Sequence, residues 1–221
     1  MKKYILISIA FLAIGSVKAQ TVSVLRRGGY QLAFFNQDKT LDTALQTRMI
    51  NTFFKVYPEL ATEYNPQTLK AVTIIIDTVY KGVAETANGT VTIASAWMHK
   101  HPEDIDVITH EVMHIVQDYK ESVGPGWLTE GIADYARYKF GVNNQAANWS
   151  LPAYKAGQNY DNAYRITARF LLWIEEKVKP GTVKALDAQL RTHTYTENSW
   201  KQLTGKSVDE LWKAYMEKPE V

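Results

Sequence analysis

Leu41, Leu45, Met49, Ile50 and Phe53 recur at steps of three and four residues. That spacing gathers them on one side of a helix and predicts one from about Thr40 to Val56, ending near Pro58. Ahead of it, Val22 to Phe35 mixes apolar and basic residues around Gly28-Gly29 and reads as one or two short strands with a turn. Val72 to Asp77 is a β-branched run, and Gly89 to Ser95 alternates after an Asn-Gly turn, so both are expected strands. After Pro102 the period changes to 3.6. Helices are expected over about 103–120, 127–140, 162–178, 182–192 and 207–217, the last opened by the capping box Ser207-Val208-Asp209-Glu210. Between them, Val142 to Asp161 is one long irregular stretch carrying Trp149, Tyr154 and Tyr160, a length more common in functional loops than in idle ones. A small, mostly N-terminal sheet followed by helices, without repeats, predicts a single α+β domain.

The first 19 residues stand apart from that domain. Met1-Lys2-Lys3, an apolar run from Tyr4 to Ile14, and small residues at Val17 and Ala19 form a cleavable export signal over 1–19, which leaves 20–221 as the mature domain. The apolar run is too short to span a bilayer comfortably. The expected location is secreted or periplasmic, with no stable membrane anchor after cleavage. Removing Lys2, Lys3 and Lys18 takes three from the 25 lysines and arginines that face 23 acidic residues, so the net charge of +2 falls to about −1. A basic surface for nucleic acid is therefore not expected, and no aromatic residues interleave with a basic patch. With no cysteine in the chain, disulfides, thiolate metal sites and a cysteine nucleophile are excluded, and any metal must be held by nitrogen and oxygen.

The chemistry centres on His110-Glu111-Val112-Met113-His114. Two histidines four residues apart lie on one helix face, within reach of one metal ion. Ile105, Ile108, Val112, Ile115, Val116 and Tyr119 cluster on the opposing arc, so the helix can bury one side and present ligands on the other. A catalytic zinc site takes three protein ligands plus water. The next segment, Trp127 to Tyr135, supplies a third: Glu130 and Asp134 lie one turn apart, opposite an apolar stripe of Leu128, Ile132 and Tyr135. Glu130 can bind the metal while Asp134 takes the hydrogen bond from the outer nitrogen of a ligand histidine. Gly131 removes a side chain where two helices approach closely. His99 and His101 fall in a polar stretch before this helix and are expected to face solvent.

These segments resemble the gluzincin class of zinc metallopeptidases. The order His110-Glu111-x-x-His114-x-x-Gln117, Glu130-Gly131-Ile132-Ala133-Asp134-Tyr135 and Tyr164-x-x-Thr167-Ala168-Arg169-Phe170-Leu171 is similar to the basic secretory protein family, peptidases of plants and bacteria. Gly205-Lys206-Ser207-Val208-Asp209-Glu210-Leu211-Trp212 resembles that family's C-terminal motif. Trp127 stands where the family often has glycine. The resemblance implies a zincin-like fold and a bound Zn2+, and its motif places a tyrosine at Tyr164, the candidate donor to the oxyanion. Tyr160, His193 and Arg169 are the alternatives for that role.

The expected activity is hydrolysis of a peptide or protein substrate, with Glu111 as general base. Two other readings stay open on sequence: a secreted binding module that keeps the zinc site as structure, and a zinc hydrolase of a non-peptide substrate. The strand Thr90 to Ser95 immediately precedes the active-site helix, and the resemblance to zincins implies that it is the sheet edge bordering the cleft, where an extended peptide can pair with it. Oligomeric state and cleavage preference are not encoded in any of these patterns.

Overall fold

A computed structural model describes residues 22–120 and 124–221; the export signal read over 1–19 lies outside them. The glycine-rich turn does join two strands. β1 (Val22–Arg27) and β2 (Tyr30–Asn36) pair antiparallel through Gly28 and Gly29 at φ 56° and 83°, the left-handed region a two-residue hairpin needs. β2 then runs parallel to β3 (Ala71–Asp77), which runs parallel to β5 (Thr90–Ala94); β4 (Ala84–Ala87) closes the sheet antiparallel to β5. The strand order β1-β2-β3-β5-β4 places the Thr90 strand inside the sheet, contrary to the expectation from sequence, and gives the edge to β4. The two-residue turn at Asn88 and Gly89 (φ 49° and 73°) folds β4 back along β5, and Ala-Glu-Thr-Ala carries no hydrophobic alternation to announce a strand.

α1 (Thr43–Glu63) makes the crossover from β2 to β3, its N-terminus capped by Asp42, which accepts from the Leu45 amide at 2.8 Å. It does not stop at Pro58. The proline sits inside the helix because the stripe Phe53, Val56, Tyr57, Leu60 and Ala61 is fully buried, and that packing outweighs the lost backbone hydrogen bond. These side chains meet the inward positions of the sheet: Leu32 and Phe34, Val72, Ile74 and Ile76, Val91 and Ile93.

α2 (Ser95–Lys100), a short helix the periodicity does not signal, leads to α3 (Val107–Gln117). Every residue of α3 except His114 is buried, the polar side included, so it is an interior helix and not one with a solvated face. Its last carbonyls are taken by side chains: Asn65 donates to Val116 O at 2.9 Å and Thr68 to Ile115 O at 3.1 Å. α4 (Gly126–Phe140) crosses α3, and α5 (Tyr164–Lys177) packs on α4 so closely that a Cβ at Gly131 would collide with the Thr167 side chain. α6 (Thr182–Arg191), α7 (Ser199–Thr204) and α8 (Val208–Glu217) complete the chain. Phe170, Trp200, Trp212 and Tyr215 form an aromatic centre among them; Trp127 stacks on Trp200 and meets Tyr160 at a tilt, which ties the start of α4 to that centre. Among the described residues no helix is long and apolar enough to cross a membrane.

Candidate functional site

α3 and α4 bring three donor atoms together. His110 Nε2 and His114 Nε2 lie 3.2 Å apart, one turn of α3 separating their residues. Glu130 Oε2, from α4, is 3.2 Å from the first and 3.6 Å from the second. A tetrahedral zinc with bonds of about 2.0–2.1 Å needs donors roughly 3.3 Å apart, so the three atoms occupy one face of such a tetrahedron. The donor set of two imidazoles and a carboxylate fits zinc chemically as well, since an ion of borderline softness takes both nitrogen and oxygen.

The outer nitrogens settle which way the imidazoles face. His110 Nδ1–H donates to Asp134 Oδ1 at 2.7 Å, so its Nε2 lone pair is left for the centre. His114 Nδ1–H donates to Gln117 Oε1 at 2.7 Å, and Gln117 in turn donates to the Thr129 carbonyl at 2.9 Å, which fixes that glutamine between α3 and α4. Electrostatics favour a cation here. Burial alone would lower the His110 pKa, but Asp134 and Glu130 outweigh it and push it up to about 10. Burial would raise that of Glu130, yet the two imidazoles hold it well below the usual carboxylate range. Among the described residues no Lys or Arg is bonded to these three donors, so the positive charge that Glu130 and Asp134 favour falls at the imidazoles.

Glu111, one residue round the helix from His110, is buried and turned toward the sheet. The Thr86 hydroxyl of β4 donates to its Oε2 at 2.7 Å, and also lies 3.0 Å from its backbone carbonyl. Thr86 and Gln117 are functional neighbours that the sequence patterns leave unassigned: Gln117 reaches His114 from three residues along α3 itself, whereas Thr86 makes its contact only once β4 has been placed beside α3.

Tyr164 opens α5 with its ring centroid 6.1 Å from that of His110 and the planes 20° apart. Its backbone is strained, with Ala163 and Tyr164 both left-handed at φ 61° and 50°, a conformation non-glycine residues adopt mainly where surrounding structure imposes it. The constraint is visible. Tyr160 donates to Asp209 at 3.0 Å and Thr167 donates to the Tyr160 carbonyl at 2.5 Å, which clamps the 3-10 turn Tyr160–Asn162 just before the strained pair. The Glu130 charge, and then partial burial, raise the Tyr164 pKa, which keeps the phenol protonated. The alternatives lie elsewhere: Tyr160 is spent on Asp209, Arg169 donates to the Pro219 carbonyl, and His193 is exposed beyond α6. Of the earlier histidines, His99 is exposed as expected and pairs with Asp38 at 2.8 Å, whereas the expectation for His101 is corrected: at the end of α2 it is half-buried against Trp97 and lines the cleft.

All six residues expected at the site, His110, Glu111, His114, Glu130, Asp134 and Tyr164, line one cleft of about 1490 Å³. Solved structures share the zincin-like α+β fold. An aminopeptidase N family protein from Idiomarina loihiensis superposes with a TM-score of 0.54 at 11% identity, covering 87% of this chain and 46% of its own. An M1 zinc metallopeptidase from Deinococcus radiodurans does so with a TM-score of 0.50 at 12% identity, covering 92% and 52%. The chain thus spans about half the length of each. No curated protein matches it. A family model described as a peptidase of plants and bacteria matches residues 18–215. The chain belongs to that family, the basic secretory protein peptidases of plants and bacteria.

Proposed function

We propose that this chain is an exported zinc-dependent peptidase in which His110, His114 and Glu130 hold the metal and Glu111 is the general base. The observation that carries the reading is the convergence of the three donors at tetrahedral spacing, with both outer imidazole nitrogens already engaged. The export half rests on the N-terminal sequence pattern. A bound zinc lowers the pKa of its water toward neutrality and polarises the scissile carbonyl. Glu111 takes the proton of the attacking water and delivers it to the leaving amine; Thr86 fixes the carboxylate that does so. Asp134 and Gln117 hold the imidazole tautomers. The Tyr164 phenol donates to the developing oxyanion. Along the cleft, β4 is the open sheet edge, and an extended peptide pairing antiparallel with it passes its backbone over Glu111.

The test separates base from ligand. Glu111→Gln is expected to keep wild-type zinc content and lose about 10²–10⁴-fold in peptide turnover, measured by metal analysis and hydrolysis on one preparation. Turnover that survives the substitution would remove Glu111 from the role. A zinc-loaded wild type that hydrolyses no peptide would return the site to the binding-module or non-peptide readings.

A further inference from the structure

One end of the cleft has a construction that the metal site does not explain. Trp97 of α2 donates its indole N–H to Asp104 Oδ2 at 2.8 Å, and Arg137 of α4 pairs with the other oxygen of the same carboxylate. The Arg137 guanidinium carbon lies 4.3 Å from the ring centroid of Trp149, on the long irregular segment, and its Nε donates to Asn144 at 3.1 Å. His101 stacks on Trp97 with centroids 4.0 Å apart. Trp97, His101, Asp104, Arg137 and Trp149 all line the cleft. Asp104 and Arg137 cancel one another and are buried, whereas both indoles and the His101 ring are only half-buried. What this end presents to a ligand is aromatic surface over a neutralised floor.

From this we infer a side-chain subsite, formed by Trp97, His101 and Trp149, that selects an aromatic or large apolar residue just C-terminal to the cleaved bond. The inference deepens the peptidase reading and rests on it. Chemistry follows from the lining: Asp104 and Arg137 pair with each other and the Trp97 N–H is spent on Asp104, so the subsite offers chiefly ring surface, and a charged side chain would lose its hydration on entry. Distance follows from the helices. Val107 precedes His110 by three residues on α3 and Arg137 follows Asp134 by three on α4, steps of about 4.5 Å along each axis, close to the ~3.4 Å between successive residues of an extended peptide. Direction follows from the sheet. Ala84 pairs with Ile93, two residues before α2 begins, so the Trp97 end of the cleft is the Ala84 end of β4. A peptide antiparallel to β4 runs from Ala87 toward Ala84 and reaches Trp97 with its C-terminal side.

The subsite is formed in advance of any substrate. Asp106 accepts the Val142 and Asn143 amides at 2.9 and 2.5 Å, and the Trp149 amide donates to Asn144 O at 2.9 Å, so the base of the long segment is pinned to the start of α3. An aromatic wall held this way loses little freedom on binding.

The experiment is digestion of a randomised peptide library by zinc-loaded wild type, Trp97→Ala and Trp149→Ala, each checked for zinc content and melting temperature. Wild type is expected to enrich Phe, Tyr, Trp, Leu and Met at the first position after the cleaved bond, and either substitution to reduce that enrichment about tenfold or more. A second readout needs no turnover: Glu111→Gln should bind a peptide with Phe at that position about tenfold more tightly than its Ala counterpart, a difference that Trp149→Ala in the same background abolishes. Wild-type cleavage with a flat profile there, a preference confined to the N-terminal side, or unchanged profiles in both variants would overturn the subsite and leave the peptidase reading standing. Zinc-loaded wild type that cleaves no library member would overturn both.

Discussion

Two carboxylate clusters are buried against α3, and they handle charge in opposite ways. Beyond its C-terminal end, Asp187 is fully buried, accepts from the Tyr119 hydroxyl at 2.9 Å and pairs with Arg191 at 2.6 Å; Arg191 also donates to the Tyr64 carbonyl at 2.8 Å. That cluster closes on itself, because arginine always carries its charge. At the other cluster the partners of Glu130 and Asp134 are imidazoles. Once Asp134 and Gln117 occupy the outer nitrogens, the inner nitrogens converge with Glu130 on one point, the arrangement the proposed metal site uses. Arginine thus partners the acid of the closed cluster, and histidine the acids of the proposed metal site.

The most drastic way to break the contrast is to remove a convergent donor. His114→Ala is expected to abolish tight zinc binding while the chain still folds around its aromatic centre, read by metal analysis and circular dichroism; full zinc retention would mean that another donor set holds the metal. Next comes the closed cluster. Burial raises the Asp187 carboxyl from 3.8 to about 6, although Arg191 and Tyr119 oppose the shift. Between those values the folded chain holds a proton that the unfolded chain has released, so this contribution to stability is full below pH 3.8 and lost as pH rises through about 6. Asp187→Asn cannot titrate. Its unfolding free energy relative to wild type should thus improve by about 2 kcal/mol from pH 4 to pH 8, and a difference that stays constant with pH would show that Arg191 fully compensates the buried charge. The smallest effect sharpens the open cluster: Asp134→Asn should cost roughly 10–100-fold in zinc affinity or turnover, and an effect below about twofold on both would make Asp134 merely a packed acid.

How much of this was legible in the sequence depends on whether a feature is local. The helices carrying His110, Glu130 and Tyr164 show their period because their apolar residues recur at helical spacing, even though α3 proves buried on its polar side too, and Gly131 marked the close approach of α4 and α5 correctly. β4 was invisible, since four residues without alternation become a strand only through the Asn88-Gly89 turn and β5. The resemblance to zincins made Thr90 to Ala94 the edge because it precedes the active-site helix, and with β4 unseen that position went to the wrong strand. Pro58 misled because a local breaker was weighed without the tertiary packing of Tyr57 and Leu60 that overrides it. Thr86 and the pairing of Trp97 with Trp149 through Asp104 and Arg137 join residues from separate elements, and no spacing along the chain encodes them, whereas Gln117 stands in the motif three residues after His114, its bond unassigned by the pattern.

The central claim is that three named atoms share one metal ion. Anomalous diffraction at the zinc edge, from crystals of the mature chain prepared with one equivalent of zinc, tests it without reference to any substrate. The account predicts a single peak about 2.0–2.1 Å from His110 Nε2, His114 Nε2 and a Glu130 carboxylate oxygen. A peak coordinated by other residues, or none at this cleft with zinc in equimolar supply, would contradict it.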